Sequence, residues 1–466
     1  MQALSRSIKR VAMVPTAGFL VLCVFLGYWQ VIRAPGLRRD EHNTRAQARL
    51  EAIEPGRLSD ADGNTLLGVE RARKGFRRTY PAGDAVCHLT GYNSRTGLQK
   101  GLQEALLGIG PYGTLWSSLL EGPRKGNDVT LTVDLEAQRL ATRLMRGQRG
   151  AVVALDAQSG AVLVMVSAPG YDPAQILQSK WDYDLFREDP EKPEYNRALQ
   201  GLYPPGSVLK ILTLATALDL GRVTPETEFH CRGEYIVDGA RITCPRAHGT
   251  VKVSRALQES CNIAFATMAE QVGAAEFRRY VKRLHLLDAC DLPLPTSAGK
   301  MGDLTGPEAR VVLAESAFGQ GPTLVTPMAI ARLALTMANG GKVMQPHLVA
   351  GISDPEGGLL SGGGGRDLGA ALTAETASTV AGMMVRVVEH GTGGAAAIRG
   401  VRVAGKTGSA ENPHGAPHSW FAGFAPAENP RVVVAAIVEN GGAGAEAAAP
   451  IVREVMETLL FRRSGP

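Results

Sequence analysis

A serine and a lysine stand three residues apart where an apolar segment of the chain begins. Two prolines and a glycine in the segment 203–206 cannot continue a helix, so a new helix is predicted to start at Ser207. The stretch 207–218 is apolar on nearly every face, which predicts a buried helix with Lys210 on the same face as Ser207. Burial would lower the pKa of Lys210, so that its neutral amine could take the proton of the hydroxyl.

The same pair also has a purely structural interpretation, as a capping serine and a lysine whose ammonium group reaches the surface. Spacing alone does not decide between the two, because Ser297 and Lys300 repeat it in a segment that is followed by Met-Gly-Asp rather than by a helix. The N-terminus of a helix would also favour an oxyanion that develops at Ser207. Ser207 and Lys210 are therefore the candidate nucleophile and base.

Ser260 and Asn262 form a second candidate element, at a predicted junction between a loop and a helix. From this position a hydroxyl could relay a proton, while an amide could hold a substrate carbonyl or position the lysine. The alternative is that both residues are ordinary helix caps.

The third element is the segment Lys406-Thr407-Gly408-Ser409, which continues a predicted strand. Lys406 and Thr407 offer a cation and a hydroxyl suited to a terminal carboxylate. Gly408 leaves one strand face bare for a substrate backbone, and the N–H of Ser409 could join that of Ser207 as an oxyanion donor. The alternative is an exposed lysine beside a strand-end glycine.

The elements that must position these residues predict an α+β domain. Helical segments dominate 207–340, and residues 353–370 are expected to be a flexible connection. The predicted strands lie at both ends of the domain, which implies one sheet closed by its N- and C-terminal segments and flanked by helices. The ranges are strands at 151–155, 161–166, 401–404, 419–424 and 431–438, and further helices at 373–390 and 449–461.

The chain is predicted to divide into three parts: an anchor at 1–33, a small α+β module at 34–148 and the α+β domain at 149–466. The apolar run from Val11 to Ile32 is long enough to span a bilayer core. A cleaved signal peptide is the alternative, but no small-x-small cleavage site follows the run. Basic residues flank the run on both sides, so charge does not orient it. The charged stretch 38–49 is expected to be a helix or stalk.

Composition excludes some functions. The net charge of +5 is spread along the sequence without a basic block, so no nucleic-acid binding is expected. The six cysteines include no C-x-x-C pattern, and no metal site and no cofactor are expected. Cys231 and Cys244 could form a disulfide in an oxidising compartment or remain reduced thiols.

The ordered set S-x-x-K, S-x-N and K-T-G resembles the motifs of penicillin-binding proteins and class A β-lactamases. Across nearly its whole length the chain resembles a class B penicillin-binding protein, a monofunctional peptidoglycan D,D-transpeptidase. The resemblance implies the penicillin-binding transpeptidase fold, an antiparallel sheet flanked by helices with an all-helical subdomain. Further segments that carry it are 126–134, 196–198, 319–321 and 420–426.

The resemblance also implies roles for the candidate residues. Ser207 would attack the penultimate D-Ala carbonyl of a stem peptide ending in D-Ala-D-Ala, after Lys210 deprotonates it. Ser260, helped by Lys406, would pass a proton to the leaving amine, and Asn262 would bind the peptide carbonyl. The residues expected to bind the terminal carboxylate are Thr407 and Ser409.

Partners and location follow from the same resemblance. β-Lactams would acylate Ser207, and the expected partner is a glycan polymerase of the shape, elongation, division and sporulation (SEDS) family. The catalytic domain would lie on the outer side of the cell membrane. The sequence leaves open the cellular process served, the acceptor amine, the oligomeric state and the β-lactam selectivity.

Two other kinds of function share this fold. A β-lactamase or a D,D-carboxypeptidase would use the same motifs, but the E-x-x-L-N pattern of class A β-lactamases does not occur between Asn262 and Lys406. A non-catalytic penicillin-binding sensor or scaffold would keep the fold without transferring acyl groups.

Overall fold

The structure is a computed structural model that describes residues 2–33, 52–73, 75–112, 125–413 and 415–462. The charged stretch 38–49, expected to be a helix or stalk, lies outside the described residues. The strands are β1 Leu58–Ser59, β2 Thr65–Arg71, β3 Phe76–Thr79, β4 Asp128–Leu131, β5 Gly150–Asp156, β6 Val162–Ala168, β7 Glu228–Cys231, β8 Glu234–Val237, β9 Ala240–Thr243, β10 Gly249–Lys252, β11 Lys342–Gln345, β12 Val349–Ser353, β13 Leu359–Gly362, β14 Arg366–Ala370, β15 Ala404–Ala410, β16 His418–Ala425 and β17 Val432–Val438.

The described helices follow both apolar and amphipathic segments of the sequence. Those of eight residues or more are Gln2–Gly27, Leu135–Leu144, Lys180–Glu188, Lys210–Asp219, Asn262–Val272, Ala274–Arg283, Ala309–Ser316, Pro327–Ala338, Ala374–His390 and Ala448–Arg462. Shorter helices are Cys87–Thr90, Gly97–Gly101, Gln103–Leu107, Pro173–Ile176 and Val253–Gln258.

A five-stranded antiparallel sheet forms the centre of the domain, with strand order β15-β16-β17-β5-β6. Its strands come from both ends of the domain, as the sequence predicts. Strand β17 is buried on both faces, with Val433 in one hydrophobic core and Val434 in the other. Helix Pro327–Ala338 packs on one face of the sheet and helix Ala448–Arg462 on the other. Strand β15 forms one edge of the sheet and packs against helix Ala374–His390.

A second sheet joins the N-terminal module to the domain. It has six strands in the order β13-β12-β4-β1-β2-β3, so β12 and β13 extend a sheet that begins before residue 149. Residues 353–370 are therefore not a structureless connection, and that prediction is wrong. The carboxylate of Asp354 accepts the N–H groups of Glu356 and Gly358 at 3.0 and 2.6 Å, and this turn closes the β12–β13 hairpin.

The N-terminal helix Gln2–Gly27 continues into a short π-helix, Tyr28–Ile32. Within it Met13–Gln30 is long and apolar enough to cross a membrane, with a mean hydropathy of 1.5 and none of the segment buried. A signal sequence near an N-terminus has the same properties. The position agrees with the apolar run read from the sequence.

Candidate active site

Ser207 lies in a tight turn that is held from two sides. The turn Gly206–Leu209 is a 3₁₀ helix, and the α-helix starts only at Lys210, so the first turn differs from the predicted α-helix. Gly206 has a φ of +57° and donates its N–H to the carbonyl of Gly319 at 2.8 Å. A Cβ on Gly206 would lie 2.9 Å from the carbonyl oxygen of Ser409, so the turn packs directly against β15.

Lys210 is completely buried, and three of the four polar atoms around its amine belong to Ser207, Asn262 and the backbone of Ser260. Its Nζ lies 3.0 Å from the Ser207 hydroxyl, 2.7 Å from the carbonyl oxygen of Ser260 and 2.8 Å from Oδ1 of Asn262. Burial lowers its pKa from 10.5 to about 7, while the thiols of Cys261 and Cys244 act in the opposite direction. A neutral amine with two N–H bonds satisfies the two obligate acceptors and leaves its lone pair for a hydroxyl.

Ser260 and Asn262 reach the cleft from the start of helix Asn262–Val272. Ser260 has a φ of +57°, an uncommon conformation for a non-glycine residue. Its hydroxyl is 3.0 Å from the Lys210 amine. Asn262 accepts from Lys210 through Oδ1 and donates through Nδ2 to the carbonyl of Thr243 at 2.8 Å, so its observed contacts position the lysine.

Lys406 is also completely buried and meets Ser260 from the opposite side. Its Nζ lies 3.1 Å from the Ser260 hydroxyl and 3.0 Å from the carbonyl of Thr407. Burial lowers the pKa of Lys406 well below 10.5, and the positive charge of Lys210 lowers it further. The Ser260 hydroxyl therefore bridges two desolvated amines, an arrangement in which protons can move between them.

The remaining residues of the third element lie along β15. Thr407 is buried, and its hydroxyl is 2.6 Å from that of Thr392. A Cβ on Gly408 would meet Pro205 O and Val208 Cγ1 at 3.1 Å, so the bare face accommodates the nucleophile turn. The side chain of Ser409 is exposed, and its hydroxyl accepts the N–H of Gly444 at 3.3 Å.

Three supporting contacts were not found by sequence reasoning. Glu439, at the end of β17, accepts from the Tyr203 hydroxyl at 2.7 Å and from Nε of Arg197 at 2.9 Å. The Trp420 indole donates to the carbonyl of Pro204 at 3.0 Å. These bonds fix the 203–206 segment ahead of Ser207. Burial alone would raise the pKa of Glu439, but the hydrogen bond from Tyr203 and the charges of Arg197 and Arg149 lower it overall. Glu439 directly follows the apolar strand β17, and nothing in the local sequence indicates that its carboxylate bonds to Tyr203 and Arg197.

Four potential metal ligands lie directly behind the cleft. Cys231, Cys244, His248 and Cys261 place one ligand atom each within 4.8 Å of one another. Cys231 and Cys244 are free thiols, not a disulfide. The expectation of no metal site overlooked this group, because the sequence spacings between its members are long apart from Cys244-x-x-x-His248.

Comparisons with known proteins identify the family. A sequence model of the penicillin binding protein transpeptidase domain matches residues 150–457. The peptidoglycan D,D-transpeptidase PbpA of Mycolicibacterium smegmatis is 32% identical over 498 residues, which cover 98% of this chain and 99% of the relative. The peptidoglycan D,D-transpeptidase MrdA of Haemophilus influenzae is 31% identical over 373 residues, which cover 72% of this chain and 57% of the relative.

A solved structure extends the likeness to three dimensions. Penicillin-binding protein A from M. tuberculosis, as an imipenem acyl-enzyme complex, superposes with a TM-score of 0.82 at 29% identity, covering 89% of this chain and 100% of that one. The chain belongs to the penicillin-binding protein transpeptidase family. Within it, the resemblance to the class B members is confirmed, and so is the mixed α+β transpeptidase fold.

Proposed function

We propose that this chain is a membrane-anchored peptidoglycan D,D-transpeptidase that cross-links stem peptides through an acyl-enzyme on Ser207. The observation that carries the proposal is the buried amine of Lys210, 3.0 Å from the Ser207 hydroxyl and fixed by two carbonyl-type acceptors. Relatives that are named D,D-transpeptidases and a β-lactam acyl-enzyme of similar fold support it.

The proposed chemistry follows from the contacts of the cleft. The lone pair of Lys210 takes the Ser207 proton as Oγ attacks the carbonyl of the penultimate D-Ala. The N–H groups of Ser207 and Ser409 stabilise the oxyanion. The proton then passes through the Ser260 hydroxyl to the leaving D-Ala amine, with Lys406 holding that hydroxyl in place. An amine of a neighbouring strand then attacks the acyl carbon, the bond to the Ser207 oxygen breaks, and the proton that the amine loses returns through Lys210 to that oxygen.

Substrate binding is proposed along β15. This strand lies at the edge of the five-stranded sheet, so a stem peptide can add to it as a further strand. Thr407 and Ser409 bind the terminal carboxylate, and Asn262 uses its second N–H for the peptide carbonyl. Gly408 contributes by letting the nucleophile turn approach β15.

Location and partner are part of the same proposal. The N-terminal helix fits a single-pass anchor, and the substrate lies in the cell wall, so the catalytic domain belongs on the outer side of the membrane. A SEDS-family polymerase supplies the glycan strands and contacts the anchor and the module 34–148. Co-purification of the full chain with that polymerase, compared with a variant in which 1–33 is replaced by an unrelated anchor, tests the contact made by the anchor, because the strands of 34–148 share a sheet with the domain and have to stay.

The central test is intact-mass spectrometry of the full chain after incubation with penicillin. A stable penicilloyl adduct is expected on the wild type and on Ser297→Ala, which removes the second S-x-x-K serine, and none on Ser207→Ala. An adduct that survives Ser207→Ala contradicts the proposal. Rapid release of the adduct would indicate a β-lactamase.

Transfer to an amine separates the remaining alternatives. With a D-Ala-D-Ala peptide and an excess of a labelled D-amino acid, the wild type is expected to form the exchanged peptide. Hydrolysis alone would indicate a D,D-carboxypeptidase. No turnover, together with a normal adduct, would indicate a sensor or scaffold.

A further inference from the structure

The four side chains behind the cleft come from three parts of the fold. Cys231 ends β7, Cys244 directly follows β9, and His248 directly precedes β10. Cys261 is the N-cap of helix Asn262–Val272 and lies between the two polar residues of the S-x-N motif. Cys231 and Cys261 are buried, whereas Cys244 and His248 are intermediate, although the side chain of His248 is only 3% exposed.

Two of the six distances within the group lie close to the edges of a tetrahedron. Zinc–sulfur and zinc–nitrogen bonds of about 2.3 and 2.0 Å place tetrahedral ligands about 3.8 Å apart for two sulfurs and about 3.5 Å apart for sulfur and nitrogen. Sγ of Cys244 and Sγ of Cys261 are 3.8 Å apart, and Sγ of Cys231 is 3.3 Å from Nδ1 of His248. Two sulfurs 3.8 Å apart are far from the about 2.05 Å of a disulfide.

The surroundings also suit metal ligands. A histidine that binds metal through one ring nitrogen usually presents the other to a carboxylate, and Nε2 of His248 faces Glu259 at 3.9 Å. Backbone N–H groups point at two of the sulfurs, from Asn262 to Cys244 at 3.1 Å and from Ala264 to Cys261 at 3.4 Å. Such N–H···S bonds stabilise thiolates.

We propose that Cys231, Cys244, His248 and Cys261 bind one zinc ion that fixes the Ser260–Asn262 segment to the β7–β10 hairpins. A closed set of three sulfurs and one nitrogen with no open position is typical of structural rather than catalytic zinc. Binding costs the three thiols their protons and involves no electron transfer. The ion would hold Ser260 in its left-handed conformation, where its carbonyl and hydroxyl both contact Lys210.

Metal analysis of the purified full chain in detergent tests the site. Inductively coupled plasma mass spectrometry is expected to find about one zinc per chain in the wild type, and zinc near background in Cys244→Ala and His248→Ala. The matched control is Cys87→Ser, because Cys87 also lies 3.3 Å from a histidine Nδ1, that of His88, but outside the group. It should keep its zinc. A wild type without zinc, or a loss of zinc in Cys87→Ser alone, overturns the proposal.

Two measurements keep the proposal testable if a variant misfolds. Cobalt(II) added to the chelator-treated, reduced wild type should give the thiolate charge-transfer and d–d bands of a tetrahedral site. Iodoacetamide should label all six cysteines of the denatured wild type without reductant. Two protected cysteines that become reactive after reduction would instead show a disulfide, and that result contradicts a zinc site.

The effect of zinc on the active site is measured separately, by the rate of acylation. Only this effect, and not the zinc site itself, depends on the proposed function. Removal of zinc from the wild type is expected to slow acylation by penicillin at least tenfold, and added zinc should restore the rate. The chelator should not affect Cys244→Ala, which already lacks the ion. Zinc removal that leaves the acylation rate unchanged overturns the positioning effect, whatever the metal content.

Discussion

Two segments of this chain carry a serine and a lysine at the same spacing, and the structure treats them in opposite ways. Ser207 lies in a 3₁₀ turn and Lys210 begins a buried helix, so both side chains point into one cleft. Ser297 and Lys300 lie in extended chain, where the N–H of Lys300 bonds to the carbonyl of Leu324 and its side chain is exposed.

The difference shows that a serine and a lysine three residues apart can react together only when a helical turn places them on one face and burial lowers the pKa of the lysine. A helix places residues three apart on one face, whereas an extended chain does not. Burial makes the amine of Lys210 a base near neutral pH, whereas an exposed ammonium group such as that of Lys300 stays hydrated and charged.

The largest effect is expected for Lys210, with Lys300 as its matched control. Lys210→Ala removes the proposed base, so the second-order rate of acylation by a fluorescent penicillin should fall by about 10²–10⁴-fold. Lys300→Ala should leave the rate unchanged within about twofold, because its exposed amine does not reach the cleft. The rates are measured from band intensity after gel electrophoresis. Equal losses in the two variants would remove the distinction between the segments.

The second effect concerns the packing that holds the turn. A Cβ on Gly319 would lie 2.0 Å from the carbonyl oxygen of Gly206, so Gly319→Ala must displace the turn before Ser207. A displacement of about 1 Å can cost about 10² in rate. Gly273→Ala is the matched control, because Gly273 has a similar φ of +82° against +79° for Gly319 but no atom within 4 Å of its Cβ position.

Acylation rates and melting temperatures of both glycine variants separate strain from displacement. Backbone strain of about 1–2 kcal/mol should lower the melting temperature of both. Only Gly319→Ala should also lose acylation rate in the folded state. A similar rate loss in Gly273→Ala would mean that stability, not the position of the turn, limits the reaction.

The elements of this comparison differ in how far the sequence predicts them. The strands β5, β6, β16 and β17 and the helix Ala374–His390 follow from continuous apolar or β-branched runs and from clear caps. Strand β15 starts at Ala404, later than the predicted 401, because Ile398 and Val401 form a separate bridge. Local pattern therefore located most of the sheet.

Long-range pairing is what the sequence could not supply. The strands β7–β10, β13 and β14 are short and carry many exposed residues, and their partners are set by tertiary contacts, so their sequence pattern resembles that of loops. For the same reason the sequence does not predict the contact of Glu439 with Tyr203 or the meeting of the four side chains at 231, 244, 248 and 261. The three motifs were recognisable because each is local, although their meeting in space is not.

The pH dependence of the acylation rate tests whether burial makes Lys210 a neutral base. Since its pKa is lowered to about 7, the neutral amine is lost as the pH falls, and the acylation rate should drop about tenfold per unit below pH 7. The charged or titratable groups that face Lys210 are Lys406, Cys244 and Cys261. A rate that is flat between about pH 5 and 9 would contradict a neutral lysine base.

The lowered pKa of Lys210 also affects the stability of the fold, because the unfolded chain does not share it. In the unfolded chain Lys210 keeps a pKa near 10.5, so between about pH 7 and 10.5 the unfolded state binds the extra proton. Its contribution should make the free energy of unfolding rise with pH across this window. Denaturant unfolding of the wild type and Lys210→Met at several pH values measures it, and the variant should lack this component.

The smallest effect is expected at the carboxylate end of the cleft, where Thr392 touches Thr407. Thr392→Val keeps the shape but removes the 2.6 Å hydroxyl contact, which leaves the Thr407 hydroxyl free to rotate. A net hydrogen bond of about 1 kcal/mol corresponds to roughly a fivefold change. Because Thr407 is proposed to bind the carboxylate, the loss should appear in the concentration dependence of acylation rather than in its maximal rate. Thr142→Val, which removes a hydroxyl bonded to Gln138 within helix Leu135–Leu144, should change neither. A lower maximal rate with an unchanged half-saturating concentration would instead place Thr392 with the proton-transfer residues.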